Sequence, residues 1–222
     1  TRARNNCSGK HTGFLTAAKH LGFPTQGYIQ YEHPVQQRLL GILEQMSGCE
    51  LGDVPRGIDG CGIPVIAVPL ANTAFAMAQM ADPHHLPDER AAACRRVLEA
   101  MMADPFMVAG SDRFCTKVMS AVPGKAAIKV GAEGVYCGAL PQHGLGICLK
   151  VTDGASRAAE VIMGQVLRHL GVIDDEMAQT LSPTLTPIAS SDTVRLFAGT
   201  VITIGDVFEA SSTASVYVGE SP

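Results

Sequence analysis

Residues 125–154, KAAIKVGAEGVYCGALPQHGLGICLKVTDG, decide the fold class of this chain. Through KAAIKV and GVYCGAL, β-branched and aromatic residues interleave with small ones. PQHG supplies a turn, and LGICLKV continues as a further strand. The reading is strand, strand, turn, strand, with no helical period between them. Residues 155–171, ASRAAEVIMGQVLRHLG, then return to a helix that stops at Gly171. Strands that follow one another directly and a helix that comes after them make an α+β protein rather than alternating βαβ units.

Ahead of this segment the period is helical. Residues 11–22, HTGFLTAAKHLG, repeat Phe14, Leu15, Ala18 and Leu21 at helical spacing and end on Gly22. Residues 32–48 form a second helix, with Pro34 suited to its first turn and Gly48 to its end. Its buried stripe is Val35, Leu39, Ile42, Leu43 and Met46. A loop over 49–64 leads to a third helix, residues 68–82. Its small side chains permit close approach, so it is expected to run through the middle of the fold. Residues 87–104 are an amphipathic fourth helix with acids in the first turn, where the helix dipole favours them. Ser111 is the expected cap of a fifth helix over 112–122.

Beyond Leu181 the complexity falls. TVITIGDVF, residues 200–208, reads as one more strand, and the last dozen residues read as loose. The expected organisation is a helical part over 1–122 and a part over 123–222 holding the strand hairpin, the long helix and a C-terminal strand. Together they make one incomplete catalytic domain.

Composition narrows the function. The chain has 222 residues, 46% of them hydrophobic and 17% charged, with no tryptophan, so it can bury a full core that must be largely aliphatic. A net charge of −4 argues against a nucleic-acid partner. No apolar run reaches membrane-spanning length. The opening TRARNN carries neither an initiator methionine nor a signal peptide, and reads as the edge of a piece cut from something longer. Seven cysteines are scattered without a disulfide framework, which points to a reducing cytoplasm and mostly buried thiols. Cys94, Cys115, Cys137 and Cys148 read as packing residues. GAEG alone does not make a phosphate loop.

The densest chemistry lies in RNNCSGKHTGF, residues 4–14. At i and i+3 on a first helical turn, Cys7 and Lys10 share one surface. They could form a cysteine nucleophile with a lysine base, since a helix N-terminus and an ammonium both favour a thiolate. With Cys61, from the glycine-rich RGIDGCGIP, they could instead form a zinc site, for which lysine is an unusual ligand because its amine must first lose a proton. The bland alternative is a capped helix start with a buried thiol and a solvated lysine. Asp59 could orient Lys10 or a substrate amine, or only cap a turn. A second candidate is Lys129, which with Gly131 at a strand edge echoes the Lys-Thr-Gly strand of serine β-lactamases, where the lysine presents charge to a substrate carboxylate.

Several long motifs then occur in order: NNCSGKHTGFL, GIDGCGIPVIAVPLANTAFAMAQMA, PFMVAGSDRFCTKVMSA, KVGAEGVYCGAL and LGICLKVTDGASRAAEVIM. They closely resemble the thermolabile L-asparaginase II family, the group of the rhizobial inducible enzyme, from residue 1 to about Gly171. The resemblance implies a fold like that of serine β-lactamases and glutaminases, a helical cluster with an antiparallel sheet and a C-terminal helix. It also implies hydrolysis of L-asparagine to aspartate and ammonia by a Ser-x-x-Lys nucleophile pair. No serine of this chain has lysine three residues on, so the expectation is a fragment that lacks its nucleophile and is inactive alone. Residue by residue, the resemblance makes Cys7, Lys10 and Cys61 ligands of a zinc ion completed by water. Asp59 and His11 become neighbours that shape substrate binding, and Lys129 the active-site lysine of the strand. The implied zinc helps to hold substrate rather than to activate the attacking group. The expected assembly is a homodimer with a small-molecule substrate and neither a membrane nor a nucleic-acid partner. The competing readings are a non-catalytic zinc-binding or assembly module, a glutaminase-like enzyme, and an amidase whose nucleophile is Thr1.

Overall fold

In the computed structural model, residues 5–181, 207–210 and 214–220 are described. Thr1 and residues 200–206, both named in the expectations above, lie outside them. The chain divides into compact units over Thr1–Val68 and Pro69–Pro222.

In the first unit, helix α1 spans Ser8–His20. It begins ahead of the apolar repeat because Asn5 organises the entry. The Asn5 side chain accepts the Cys7 N–H at 2.8 Å, and its carbonyl accepts the Ser8 N–H at 3.0 Å. Helix α1 therefore contains Lys10 and His11 in its opening turn, with Cys7 at its N-cap. Gly22, at φ +71°, ends it in the left-handed conformation, and the Phe23 N–H returns to the Ala18 carbonyl at 2.8 Å. Helix α2 spans Pro34–Ser47 as its proline and glycine indicate, with Gly48 left-handed at its end. Within its stripe Val35 and Met46 are buried, while Leu39, Ile42 and Leu43 are half-buried. The segment 49–64, read as loop, contains strand β1, Arg56–Ile58, which pairs antiparallel with β2, Pro64–Ile66. These strands are too short to show a period and carry Gly57 and Pro64, which disguise them.

The second unit opens with α3, Leu70–Ala81, α4, Asp88–Ala103, and α5, Pro105–Ala109, followed by α6, Phe114–Ala121. Strands β3, Ala127–Val130, β4, Val135–Leu140, and β5, Leu145–Val151, follow. Next come α7, Ser156–His169, and α8, Asp175–Thr180, then β6, Val207–Ala210, and β7, Ala214–Glu220. The sheet order is β3-β4-β5-β7-β6, with every neighbouring pair antiparallel. This is the expected α+β class.

Particular expectations fail. Ser111 does not cap α6: the N-cap is Arg113, without a side-chain hydrogen bond, and Asp112 turns the chain at φ +57°. Within the last dozen residues, Ala214–Glu220 are not loose: they form β7, which lies between β5 and β6. The run Ser215-Val216-Tyr217-Val218 is rich in strand formers, which outweigh the low-complexity flanks. The short α5 and α8 went unread. The latter depends on Asp174, whose carboxylate accepts the Met177 N–H at 2.8 Å.

One face of the sheet carries Ile128, Tyr136, Ile147 and Leu149, all buried in one cluster with Phe114, Met119, Met163 and Leu167 of α6 and α7. On the other face α3 lies against β4, β5 and β7. Its small residues serve close approach, as expected. A Cβ on Gly146 would stand 2.0 Å from the Ala74 carbonyl oxygen and 2.2 Å from the Ala78 nitrogen.

Candidate metal and substrate site

In the first unit the hairpin between β1 and β2 turns through Asp59–Ile63. Its backbone closes with the Asp59 N–H on the Ile63 carbonyl and the Gly62 N–H on the Asp59 carbonyl, each at 3.0 Å. Gly62, at φ +87°, supplies the left-handed position that the turn requires. Inside the turn the Asp59 carboxylate is the hub. Its Oδ1 accepts the Cys61 N–H at 2.9 Å, the Ile63 N–H at 3.0 Å and the Cys61 thiol at 2.9 Å. Its Oδ2 accepts from Lys10 Nζ at 2.7 Å, across 49 residues of sequence.

Asp59 thus ties the first turn of α1 to the hairpin. The Cys61 thiol has Lys10 and Cys7 as further hydrogen-bonding neighbours, so both thiols and the amine share one locality. Burial alone would raise the Asp59 carboxyl. The hydrogen bonds from Cys61, Lys10 and the Ile63 amide prevail and hold it well below the usual carboxylate range. Burial works against the Lys10 ammonium, but its bonds to Asp59 and Cys61 and the negative charge of Asp59 keep it above the ordinary lysine value. Burial, and then the bond to Asp59, push the Cys61 thiol up. Without metal, Asp59 therefore keeps one donor as an ammonium and another as a thiol.

Because the folded carboxyl is depressed, ionised Asp59 stabilises the fold at every pH above the unfolded value of about 3.9. That contribution is lost as pH falls through the lower folded value. Asp59→Asn is expected to remove it, so that urea midpoints of variant and parent differ at neutral pH and converge in strong acid. Chemical denaturation across the acid range measures this.

His11, next to Lys10 on α1, has a different partner. Its Nδ1 pairs with the Tyr28 hydroxyl at 2.6 Å, with the rings edge to face at a centroid distance of 5.7 Å. Tyr28 was not singled out in the sequence, and nothing in its local spacing marks it. The same unit holds a cleft of about 540 Å³ lined by Ile29, Tyr31, Glu32, Arg56, Ile58 and neighbouring residues. The Arg56 guanidinium lies 4.1 Å above the Tyr31 ring.

Lys129 belongs to the second unit, on β3 at an exposed position, where its Nζ donates to the Val130 carbonyl at 2.6 Å. The following GAEG is a turn. Glu133 and Gly134 are both left-handed, and a Cβ on Gly134 would come within 2.9 Å of Val151.

Among the described residues, no group of three or more His, Cys, Asp or Glu side chains is arranged to hold a metal ion. The candidate donors here are two thiols and an amine, and that set suits zinc. Two sulfurs balance the charge, the amine nitrogen is an unusual third donor that serves once deprotonated, and a fourth position stays open. Each donor must release a proton on binding, two of them protons that now face Asp59.

No helix among the described residues is long and apolar enough to cross a membrane. No curated protein matches the sequence. The profile of the L-asparaginase II family, by contrast, matches residues 1–196, which takes in the α1 turn, the Asp59 hairpin, α3 and the strand of Lys129. The chain belongs to the L-asparaginase II family of amidohydrolases.

Proposed function

We propose that the protein hydrolyses L-asparagine to aspartate and ammonia, in the manner of the rhizobial inducible enzymes and on a β-lactamase-like catalytic domain. The attacking group is a serine of a Ser-x-x-Lys pair. No serine among the 222 residues stands three positions before a lysine, so this reading assigns the nucleophile to a segment preceding Thr1. The 222 residues alone then bind but do not turn over.

Cys7, Lys10 and Cys61 hold a zinc ion, which when bound supplies a Lewis-acidic point that helps to fix the substrate. Asp59 serves this site in two ways. It pins the hairpin to α1, and it accepts the hydrogens that Lys10 and Cys61 carry before metal arrives. His11, oriented by the Tyr28 hydroxyl, offers its other ring nitrogen to the substrate. Lys129 presents a positive charge to a carboxylate of the amino acid. The catalytic unit is a homodimer in the cytoplasm.

The observation that carries this reading is that Asp59 joins the Lys10 amine to the Cys61 thiol, with Cys7 a neighbour of that thiol, inside a chain that matches the family over residues 1–196. Ammonia release from L-asparagine and L-glutamine tests it, on the 222-residue chain and on a form extended at its N-terminus by the preceding coding sequence. Asparagine turnover by the extended form alone is the expected result. An extended form that holds zinc and contains Ser-x-x-Lys yet releases no ammonia would overturn the enzymatic reading in favour of a metal-binding module.

A further inference from the structure

Across β3, β4 and β5 one row of the sheet carries Lys129, Cys137 and Cys148 directly opposite one another. Cys137 and Cys148 were read as inert packing, and both are free thiols. Their sulfurs lie 3.6 Å apart, within an S–H···S hydrogen bond. Cys148 is only 1% exposed, whereas Cys137 is half-buried and flanked on its other side by the lysine strand. The row is set by strand register rather than by flexible side chains, so the sulfurs remain neighbours while the sheet is intact.

We propose that Cys137 and Cys148 form a reversible dithiol modification site, closed by hydrogen peroxide into a disulfide across β4 and β5. Cys137 is the attacking sulfur. The hydrogen bond with Cys148, helped by the positive charge of Lys129, pulls its thiol down against the effect of burial, while that bond and burial push Cys148 up. The thiolate is the nucleophile in such chemistry.

In the first step the Cys137 thiolate attacks one peroxide oxygen. The O–O bond breaks and Cys137 becomes a sulfenic acid, with hydroxide leaving. In the second step the Cys148 sulfur attacks the sulfenic sulfur. The S–O bond breaks, an S–S bond forms, and the thiol proton of Cys148 departs with the oxygen as water. Two thiols lose two electrons in all, and one peroxide gains them and becomes two waters. Closure needs the sulfurs to move from 3.6 Å to bonding distance, with the β-carbons of opposed residues drawn closer than usual. A bond made under that constraint is readily reduced, as regulatory disulfides are.

The site itself rests on sheet geometry alone. Only its consequence for a substrate held by Lys129 depends on the asparaginase reading.

The test needs no activity measurement. Cleavage after Lys129 and Lys150 yields a single tryptic peptide, residues 130–150, that carries both cysteines and no other. After peroxide treatment of the whole chain and alkylation under denaturing conditions, this peptide is expected to be lighter by two hydrogens and unalkylated. Dithiothreitol should restore both alkylation sites. Cys137 should disappear at least about tenfold faster than the buried Cys94. In Cys148→Ser, dimedone should trap a sulfenic acid at Cys137, and in Cys137→Ser residue 148 should remain a thiol. Full alkylation of both residues in the treated parent chain, or their direct passage to sulfinic acid without a disulfide, would overturn the proposal.

Discussion

A Cys61→Ala variant is expected to bind zinc at least about a hundredfold more weakly than the parent and to lose it on dialysis. Cys61 is one of only two soft donors in the proposed site, and a Lys10 amine with one remaining thiol makes a poor zinc site at neutral pH. The effect should be selective. Cys61 is half-buried in a turn whose closing bonds are made by Asp59 and backbone amides. Removing its sulfur leaves the Ile63 and residue-61 N–H groups on Asp59, so the hairpin should persist. Circular dichroism should be unchanged while metal content falls from near one per chain to near none. Cys7→Ala should give the same loss. Unchanged zinc content in both variants would remove the site.

The second large effect concerns the fold. Gly146→Val is expected to destabilise the second unit by about 4 kcal/mol or more, a large part of the roughly 5–15 kcal/mol that keeps a typical domain folded. The obstacle to a β-carbon is backbone rather than a movable side chain. The Ala74 carbonyl oxygen lies 2.0 Å from where that carbon would sit, with the Ala78 nitrogen at 2.2 Å. Relief would require α3 to withdraw from β5, breaking the contact that the small residues Ala74 and Ala78 exist to make. Gly138→Ala, on the opposite face, is the comparison. Its β-carbon would meet the Ile128 side chain at 3.3 Å, a contact that a side-chain adjustment can relieve. Soluble expression and thermal denaturation of the two variants measure the difference.

These sites also show why parts of the molecule were legible in the sequence and others were not. Helices α2, α4 and α7 announced themselves through apolar period and terminal proline or glycine, signals that lie within a single element. Strands β3–β5 were readable because β-branched residues and a short turn sit side by side. Ser111 misled because a capping residue type is common, and the chain instead turns at Asp112 and enters the helix at Arg113. Strand β7 was hidden because its partners, β5 and β6, lie elsewhere in the chain and its register cannot be read from its own residues.

The same division holds for the site. Cys7, Lys10 and Cys61 were singled out by residue type and family resemblance, and of these Asp59 joins Lys10 to Cys61. Tyr28 beside His11, Arg56 over Tyr31, and the opposition of Cys137 and Cys148 are long-range products of folding, and no local spacing encodes them.

Zinc K-edge absorption on the zinc-loaded protein and on Cys61→Ala bears most directly on the claim that the α1 turn and the Asp59 hairpin grip one cation. The account predicts two sulfur scatterers at about 2.3 Å with nitrogen and oxygen completing a four-coordinate shell, and one sulfur fewer or no bound metal in the variant. A shell of oxygen and nitrogen alone, identical in both proteins, would contradict it.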